Sequence, residues 1–382
     1  SLHVFSLNMS QKSASVPGAL PLIRFLIRNR ILVIVALALT TGVFGYFLTK
    51  VRVDNDITKT VPDDLQEKID FKTLREHFTS PRTVVLLAHF LEPMSLGQKI
   101  EAMSGWAQEL SVPGVSGAPI HLGSVQVPVR GGFLGLTSRY ISQPGTAQTD
   151  EELRSVLSQN RQFVGALISA DEKVMCMVIQ VDPSADQNAV LLEIIRLSRR
   201  IGHEGKADIH ITGSPVHMYF IDQAMRKDFG ILLPLCFVVI FGMLYLLFRK
   251  LLYVISCLGI ILVALIWTFG IMGMTGMPFS VVSSVVPVIL FPIGVAYSLH
   301  VITTFVRLRT RQGMQVEESL GVAYSQLMDA LLLSSITTFV GFGSFALSRI
   351  MWTRVFGIYT GIGVLAELLL TLVLLPILLS FE

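Results

Sequence analysis

The strongest indication of the fold class is the stretch Ile336–Phe381 (ITTFVGFGSFALSRIMWTRVFGIYTGIGVLAELLLTLVLLPILLSF). It holds the end of one long apolar run and all of another. Its basic residues, Arg349 and Arg354, lie in the short link between the two runs. A helix needs about 20 mostly apolar residues to cross a bilayer. The stretch therefore predicts two adjacent membrane-spanning helices joined by a short loop.

The composition of the whole chain also indicates a membrane protein. Its 382 residues are 52% hydrophobic and 15% charged, and the mean hydropathy is +0.64. Soluble domains carry roughly 25% charged residues. This shortage of charge excludes a disordered chain and a small disulfide scaffold, and a net charge of +3 is too weak for nucleic-acid binding. We expect no disulfide, metal or cofactor, because three cysteines cannot form a framework of pairs.

Six apolar runs of the whole chain are long enough to span a bilayer. They are Ile31–Leu48, Gly230–Phe248, Leu251–Met274, Ser280–Phe305, Ala330–Ser348 and Val355–Phe381. Short cytoplasmic loops are enriched in Lys and Arg. Three basic clusters consist of Arg24, Arg28, Arg30, Arg249, Lys250, Arg307, Arg309 and Arg311. With six spans these clusters fall on one side, so both termini are predicted to be cytoplasmic.

The cytoplasmic side carries two further predicted segments. Residues 1–20 are polar and small, and we expect them to be disordered, with the first span at 21–48. Spans two to six form a bundle over 230–382. Within it, Gln312–Asp329 is predicted to form an amphipathic helix lying on the membrane surface, because its charges suit a solvated face.

Residues 49–229 are long and polar enough to form a periplasmic α/β domain between the first two spans. Periodicity predicts strands at Arg82–Phe90, Val125–Val129, Lys173–Val181 and Ala207–Thr212, and helices at Ser95–Leu110 and Asp186–Arg200. This order is β-α-β-β-α-β, which is typical of the split βαβ arrangement. Gly131–Thr149 is predicted to be an insertion or a mobile loop. A capped helix is predicted to follow it at Thr149–Glu152.

Four segments of the chain are similar to one known superfamily. They are Val51–Asp64 (VRVDNDITKTVPDD), Ile211–Asp228 (ITGSPVHMYFIDQAMRKD), Pro292–Phe305 (PIGVAYSLHVITTF) and Ile336–Phe381. The chain resembles the resistance–nodulation–division (RND) superfamily, in the branch of the predicted bacterial exporters, the MmpL lipid transporters, the hopanoid transporters and the Patched-like sterol proteins. The resemblance implies a six-span unit with a porter-like domain, which is half of the usual tandem. Either the chain pairs with a second copy, or it is the amino-terminal half of a longer polypeptide.

The resemblance implies a secondary transporter, not an enzyme. Such a protein would export a lipid or another hydrophobic molecule from the inner membrane of a Gram-negative bacterium, coupled to protons. It would contact membrane lipids, a second six-span unit and a periplasmic or outer-membrane partner. The alternative is a non-transporting scaffold or a lipid-sensing subunit of a larger complex.

Ionisable side chains inside a bilayer are costly, so each is a functional candidate. Here they are His300 in the fourth run and Glu367 in the sixth. RND transporters carry a proton-accepting aspartate within a Gly-x-Asp-Tyr motif of the fourth span, but residues 294–297 read Gly-Val-Ala-Tyr. The acid position is therefore Ala296, and the proton-relay candidates are His300, Glu367 and Tyr297. The structural alternative is a hydrogen-bonded His300 and a permanently protonated Glu367.

Weaker candidates are hydroxyl, small and apolar side chains. Polar links between the fourth and fifth spans are predicted at Thr303, Thr304, Thr337 and Thr338. Close helix packing is predicted at Gly341, Gly343, Gly357, Gly361 and Gly363. The insertion offers Phe133, Leu134 and Leu136 for contact with a hydrophobic substrate, although a short apolar loop also packs against its own domain. The histidines of the outer domain lack the spacing of metal ligands, and the sequence contains no catalytic set there.

Overall fold

The computed structural model describes residues 19–382 except 56–61, 63, 78–81, 132–134, 142–147, 183 and 205–206. The chain divides into a membrane unit, Ser1–Ile69 with Asp222–Glu382, and an α/β unit, Asp70–Ile221. The helices are α1 (Leu20–Arg28), α2 (Arg30–Leu48), α3 (Gln66–His77), α4 (Leu96–Glu109), α5 (Asp150–Gln159), α6 (Gln187–Glu204), α7 (Ser214–Phe248), α8 (Leu251–Thr275), α9 (Val286–Gln312), α10 (Val316–Gly343) and α11 (Met351–Leu379). The strands are β1 (Arg82–Phe90), β2 (Gln126–Gly131), β3 (Gly135–Tyr140), β4 (Val174–Val181) and β5 (Ala207–Thr212).

Six helices of the described chain are long and apolar enough to cross a membrane: α2, α7, α8, α9, α10 and α11. They coincide with the six predicted runs, so the chain is a multi-pass membrane protein. Two of these helices begin far earlier than predicted, α11 begins slightly earlier, at Met351 rather than Val355, and α9 begins later, at Val286 rather than Ser280. α7 begins at Ser214 rather than Gly230, and α10 begins at Val316 rather than Ala330.

The segment predicted as a surface helix, Gln312–Asp329, is not a separate element. Residues 316–329 form the first half of α10 and continue into the fifth span. No proline interrupts this sequence, so the helix has no local reason to end at Asp329.

The predicted first span, 21–48, consists of two helices, α1 and α2, which are separated at Asn29. Disorder was predicted for residues 1–20. Residues 1–18 lie outside the described residues, but Leu20 begins α1, so the prediction is wrong at that position.

The interior of the membrane unit lies between α8, α9 and α11, where Ile261, Leu290 and Leu370 are inaccessible to solvent. The first span, α2, packs along α8. A β-carbon on Gly270 would lie 2.5 Å from the carbonyl oxygen of Phe44, so only glycine allows the two backbones to approach so closely. The indole nitrogen of Trp267 stabilises the same contact by donating a hydrogen bond to the hydroxyl of Thr41 in α2 at 3.0 Å.

The segment after the first span is bound to the loop between α8 and α9. Val53 and Phe279 form a parallel bridge. The buried Asn55 accepts a hydrogen bond from the backbone nitrogen of Val281 at 2.8 Å and donates one to the carboxylate of Asp222. These bonds hold the ends of α2, α8 and α9 together at one end of the bundle.

The α/β unit is built on a three-stranded antiparallel sheet in the order β4-β1-β5. β1 is central, and its Leu86 pairs with Met177 of β4 and with Ile211 of β5. Alternate residues of β1 are buried in one hydrophobic cluster with side chains of α4 and α6, such as Ile100 and Ile194. The boundaries of β1 and β5 are those predicted from periodicity.

The strand predicted at Val125–Val129 forms, but not in this sheet. As β2 it pairs with β3 in a separate two-stranded hairpin, and β3 lies where the sequence predicted an insertion or mobile loop. Pro128 has no backbone N–H, so it suits a hairpin edge better than the middle of a sheet. The segment 115–120 runs beside β4 instead, with bridges from Val115 to Val181 and from Ile120 to Val178.

The helix predicted at Thr149–Glu152 is present as α5 and begins with a capping box. The hydroxyl of Thr149 accepts from the backbone nitrogen of Glu152, and the Glu152 carboxylate accepts from that of Thr149. The Asp150 carboxylate also accepts hydrogen bonds from the backbone nitrogens of Leu96 and Gly97 at the start of α4. One acidic side chain therefore joins the amino termini of two helices.

Candidate functional site

Glu367 lies in the middle of α11 and is 0% exposed. Neither of its carboxyl oxygens has a hydrogen-bond partner among the residues that the structure describes. A buried polar group normally has such a partner, and an ionised carboxylate without one is very costly in an apolar interior. Glu367 is therefore poised to hold a proton, and it can release this proton only if water or a conformational change reaches it.

Three helices form the surroundings of Glu367. A β-carbon built on Gly294 of α9 would lie 2.8 Å from Oε1 of Glu367 and 2.7 Å from Ile261 of α8, so the carboxyl group rests against the α9 backbone. The buried Cys257 of α8 lies near Ser298 and Glu367. Because any side chain at 294 would occupy this space, glycine is the residue that lets α11 place a carboxyl group there.

Further buried polar atoms in the bundle lack partners among the described residues. They are the hydroxyls of Tyr297, Ser298, Ser335 and Thr371, the indole nitrogen of Trp352 and Nε of Arg309. Thr371 follows Glu367 by one helical turn, and its backbone carbonyl accepts a hydrogen bond from the buried Tyr324 of α10 at 2.6 Å. Unpaired buried polar groups are commonly satisfied by internal water. The interior between α9, α10 and α11 thus contains several buried polar groups of the kind that internal water satisfies.

The structure separates the three proton-relay candidates. Tyr297 is buried like Glu367, with 4% of its surface exposed. His300 is exposed on the surface of the chain, and Ala296, which the resemblance places at the acid position of RND transporters, is half-buried. His300 follows Ala296 by four residues, which is about one helical turn, so the sequence predicts that the two residues share a face of α9. It did not reveal that Glu367 lies against Gly294 instead.

The threonines predicted to link the fourth and fifth spans bond within their own helices. Thr303 donates to the carbonyl of Leu299, Thr337 to that of Leu333 and Thr338 to that of Ser334. A threonine hydroxyl in a helix readily reaches the carbonyl four residues earlier, so a second helix is not required. Thr304 is half-buried on α9.

The predicted packing role of the glycines holds for the sixth span. β-carbons on Gly357, Gly361 and Gly363 would press against Phe345, Phe339 and Leu290 respectively. At Gly341 and Gly343 of the fifth span, no atom of the described chain lies within 4 Å of that position, so close packing there does not require glycine.

The described part of the α/β unit contains fewer candidate functional residues than the membrane unit. Phe133 and Leu134, two of the proposed substrate contacts, lie outside the described residues, and Leu136 belongs to β3 of the hairpin. Within the described ranges no group of three or more His, Cys, Asp or Glu is placed to hold a metal ion. His121 is buried, and its Nδ1 accepts a hydrogen bond from the backbone of Gly123 at 3.2 Å. Burial lowers the pKa of His121, so it acts here as a neutral structural residue.

The basic clusters of the membrane unit meet at one end of the bundle. Glu382 accepts hydrogen bonds from Lys250 at 2.5 Å and from Tyr253 at 2.7 Å, and the guanidinium of Arg30 lies 4.9 Å from the ring centroid of Phe381. Partial burial by itself would raise the pKa of Glu382, but Lys250, Tyr253 and the nearby Arg309 outweigh it, so this pKa lies below its usual value.

Comparisons with known proteins extend these observations. The model of the MMPL family matches residues 113–381, which is more than half of the chain. A protein of Methanocaldococcus jannaschii whose name describes it only as a membrane protein is 22% identical over 242 residues, which are 63% of this chain and 62% of the relative. The chain thus spans less than two thirds of that relative's length. MMPL proteins are RND-type transporters rather than enzymes. Because the family match runs from the α/β unit to the end of the sixth span, the chain belongs to the MMPL family.

Proposed function

We propose that this chain is the six-span unit of a secondary transporter that exports a lipid or another hydrophobic molecule and is coupled to protons through Glu367. The observation that carries the coupling is a fully buried carboxyl group whose two oxygens have no partner in the described chain. Intramembrane ionisable residues mark ion and proton pathways in transporters. Family membership and six apolar helices support the transporter class.

The position of Glu367 fits a relocated proton site. The acid expected in the fourth span is replaced by Ala296, yet the carboxyl group of Glu367 reaches the same helix from α11 at Gly294. A neutral carboxylic acid is tolerated in this apolar pocket, whereas a carboxylate favours any conformation that admits water. Protonation of one group would therefore shift the balance between two packings of α8, α9 and α11.

Exposed polar groups support a second six-span unit as partner. His300, Thr303 and Thr337 are exposed on the surfaces of α9 and α10. An ionisable side chain such as His300 almost always faces a protein interior or a water-filled cavity in a membrane. A second copy, or the second half of a longer polypeptide, would cover them by packing about an axis along the membrane normal. A periplasmic or outer-membrane partner would complete an export route.

The proposed location is the inner membrane of a bacterium, with the α/β unit in the periplasm. Support comes from the basic residues Arg30, Lys250 and Arg309, which meet around Phe381 and Glu382 at one end of the bundle. Under the positive-inside rule this end is cytoplasmic. The sheet with its flanking segment 115–120 supports a porter-like unit of split βαβ type.

The test is proton flux in liposomes that contain the purified chain, an entrapped pH indicator and an imposed pH gradient. Glu367→Gln keeps the shape of the side chain but cannot release a proton, so flux should fall to that of empty liposomes. Glu317→Gln, an exposed acid at the start of α10, is the matched control and should leave flux unchanged. His300→Gln, measured in parallel, reports whether the exposed candidate takes part. Full flux in Glu367→Gln would refute coupling through Glu367.

The alternative function is a non-transporting scaffold or lipid-sensing subunit. The alanine at position 296, where the family carries its acid, favours it. If the purified wild-type chain, alone or with the partner that copurifies, shows neither proton flux nor lipid export, this second function replaces the first.

A further inference from the structure

The helix α1 has no part in the proposed transport, yet it has a defined position at the end of α2 and against the bundle. The next helix, α2, has 19 residues and is about 28 Å long, which already covers most of the roughly 30 Å hydrocarbon core. Asn29 separates the two helices, and its side-chain nitrogen donates to the carbonyl of Phe25 at 3.1 Å. Since α2 fills the membrane thickness, α1 lies outside the hydrocarbon core, at the end of α2 that begins with Arg30.

One side of α1 is docked on the bundle. Ile23 and Leu26 are 1% and 5% exposed, and Ile23 belongs to the hydrophobic core of the membrane unit. Leu20 contacts Gly321 of α10 so closely that a β-carbon at 321 would collide with it. This docking fixes the rotation of α1, so the remaining surface of the helix faces away from the protein.

That remaining surface has two stripes of different chemistry. At about 100° per residue, Leu22 and Phe25 lie on one flank of the docked side, and Arg24 and Arg28 lie on the other. Leu22 is 46% exposed and Phe25 is 60% exposed. Residues 19–30 contain no acid, and no described residue forms an ion pair with Arg24 or Arg28. An apolar stripe beside an uncompensated basic stripe is the pattern of a helix at a membrane surface.

We propose that α1 binds anionic phospholipids of the adjoining leaflet. Leu22 and Phe25 enter the boundary of the acyl chains, and Arg24 and Arg28 bind the lipid phosphates. Guanidinium groups suit this task because they contact phosphate oxygens through paired hydrogen bonds. Arg30 is already engaged over the ring of Phe381, so it joins the site less freely. This inference concerns lipid headgroups as ligands and holds whether or not the chain transports anything.

The experiment uses the full chain, reconstituted in nanodiscs of phosphatidylcholine and phosphatidylglycerol and then extracted in mild detergent. Mass spectrometry of the retained lipids gives the ratio of anionic to zwitterionic lipid. Arg24→Gln/Arg28→Gln should lower this ratio by roughly five- to thirty-fold, the range expected for two cations at a charged surface. Arg24→Lys/Arg28→Lys keeps the charge and should retain most of the preference. Arg196→Gln/Arg199→Gln, which removes two exposed arginines of α6, is the matched control and should match the wild type.

An unchanged lipid ratio in a folded Arg24→Gln/Arg28→Gln variant would overturn the proposal. Loss of a bound protein or of a second copy, with the ratio unchanged, would assign the surface to a protein partner and overturn it as well. If the double variant does not fold, Arg28→Gln alone decides, because Arg28 is exposed and lies at the end of α1. It should still lower the ratio several-fold, and the absence of any decrease would count against the proposal.

Discussion

The interior between α8, α9 and α11 and the outward surface of α9 and α10 hold polar groups in opposite ways. In the interior, Glu367 is inaccessible, and its oxygens have no partner among the described residues. On the surface, His300, Thr303 and Thr337 are exposed, and the two threonine hydroxyls bond to their own helices. The helices differ accordingly: 61% of the most apolar stretch of α11 is buried, against 11% of that of α10.

This difference shows that a polar residue in an apolar run has two meanings. A surface group can be satisfied by its own helix or by a partner that covers it, so its cost depends on assembly. An interior carboxyl group without a partner is satisfied in neither way, so the free-energy cost of burying it depends on whether it is protonated. Four predictions test this distinction, in order of decreasing effect.

Gly294→Ala should have the largest effect, because the new β-carbon would meet the Glu367 carboxyl at 2.8 Å and Ile261 at 2.7 Å. Overpacking of this kind typically costs about 1–3 kcal/mol, and proton flux should fall together with stability. Thermal unfolding and liposome flux measure the two effects. Gly341→Ala is the control and should not destabilise the chain, because no described atom lies within 4 Å of the added β-carbon. Equal behaviour of the two variants would mean that the pocket at Gly294 is not tight.

Glu367→Met should stabilise the folded chain while removing its coupling. Replacing an unpartnered buried polar group with an apolar one of similar size removes a desolvation penalty of about 1–3 kcal/mol. His300→Leu, on the exposed surface, should change stability by less than about 0.5 kcal/mol. The unfolding midpoints of both variants, compared with that of the wild type, measure these changes in stability. A marked loss of stability in Glu367→Met would indicate that the carboxyl group has partners, such as water, that stabilise the fold.

Glu382→Gln should cost about 0.2–1 kcal/mol at pH 7, because it breaks an ion pair at the water-exposed end of the bundle. The folded-state pKa of Glu382 is lowered. Its contribution is therefore complete above the unfolded pKa and is lost as the pH falls through the folded pKa. Unfolding measured from neutral to acidic pH should show the wild type and the variant converging at low pH. Glu318→Gln, an exposed acid on α10, should show no such convergence.

Thr337→Val should have the smallest effect, within about 0.5 kcal/mol. The Thr337 hydroxyl bonds to carbonyls of its own helix, and these are already engaged in the helical ladder. The nearby Ser335 is buried and has no hydrogen-bond partner among the described residues, so Ser335→Ala should be neutral or slightly stabilising. A large loss of stability in Thr337→Val in the isolated chain would contradict the assignment of this surface to a partner.

Local properties of the sequence were sufficient for the elements themselves. The length of the apolar runs predicted the six spans. The periodicity of apolar residues predicted β1 and β5, and a capping pattern predicted the start of α5. Each of these signals depends on residues that are only a few positions apart. The same local signals could not show that α10 continues through Asp329, since the charges of its first half resemble a surface helix. Nor could they show that β2 pairs with β3, because strand pairing depends on segments distant from each other along the chain.

The contents of the site were decided by tertiary structure. The sequence singled out Glu367, His300 and Tyr297 because ionisable and motif residues stand out in apolar runs. Whether each lies inside or outside depends on the rotation of its helix, which packing against other helices sets. Packing placed Glu367 against Gly294, 73 positions earlier in the chain, and turned His300 outward. That placement is possible because residue 294 is glycine and has no β-carbon. The need for glycine there becomes apparent only from the close approach of α11 to α9.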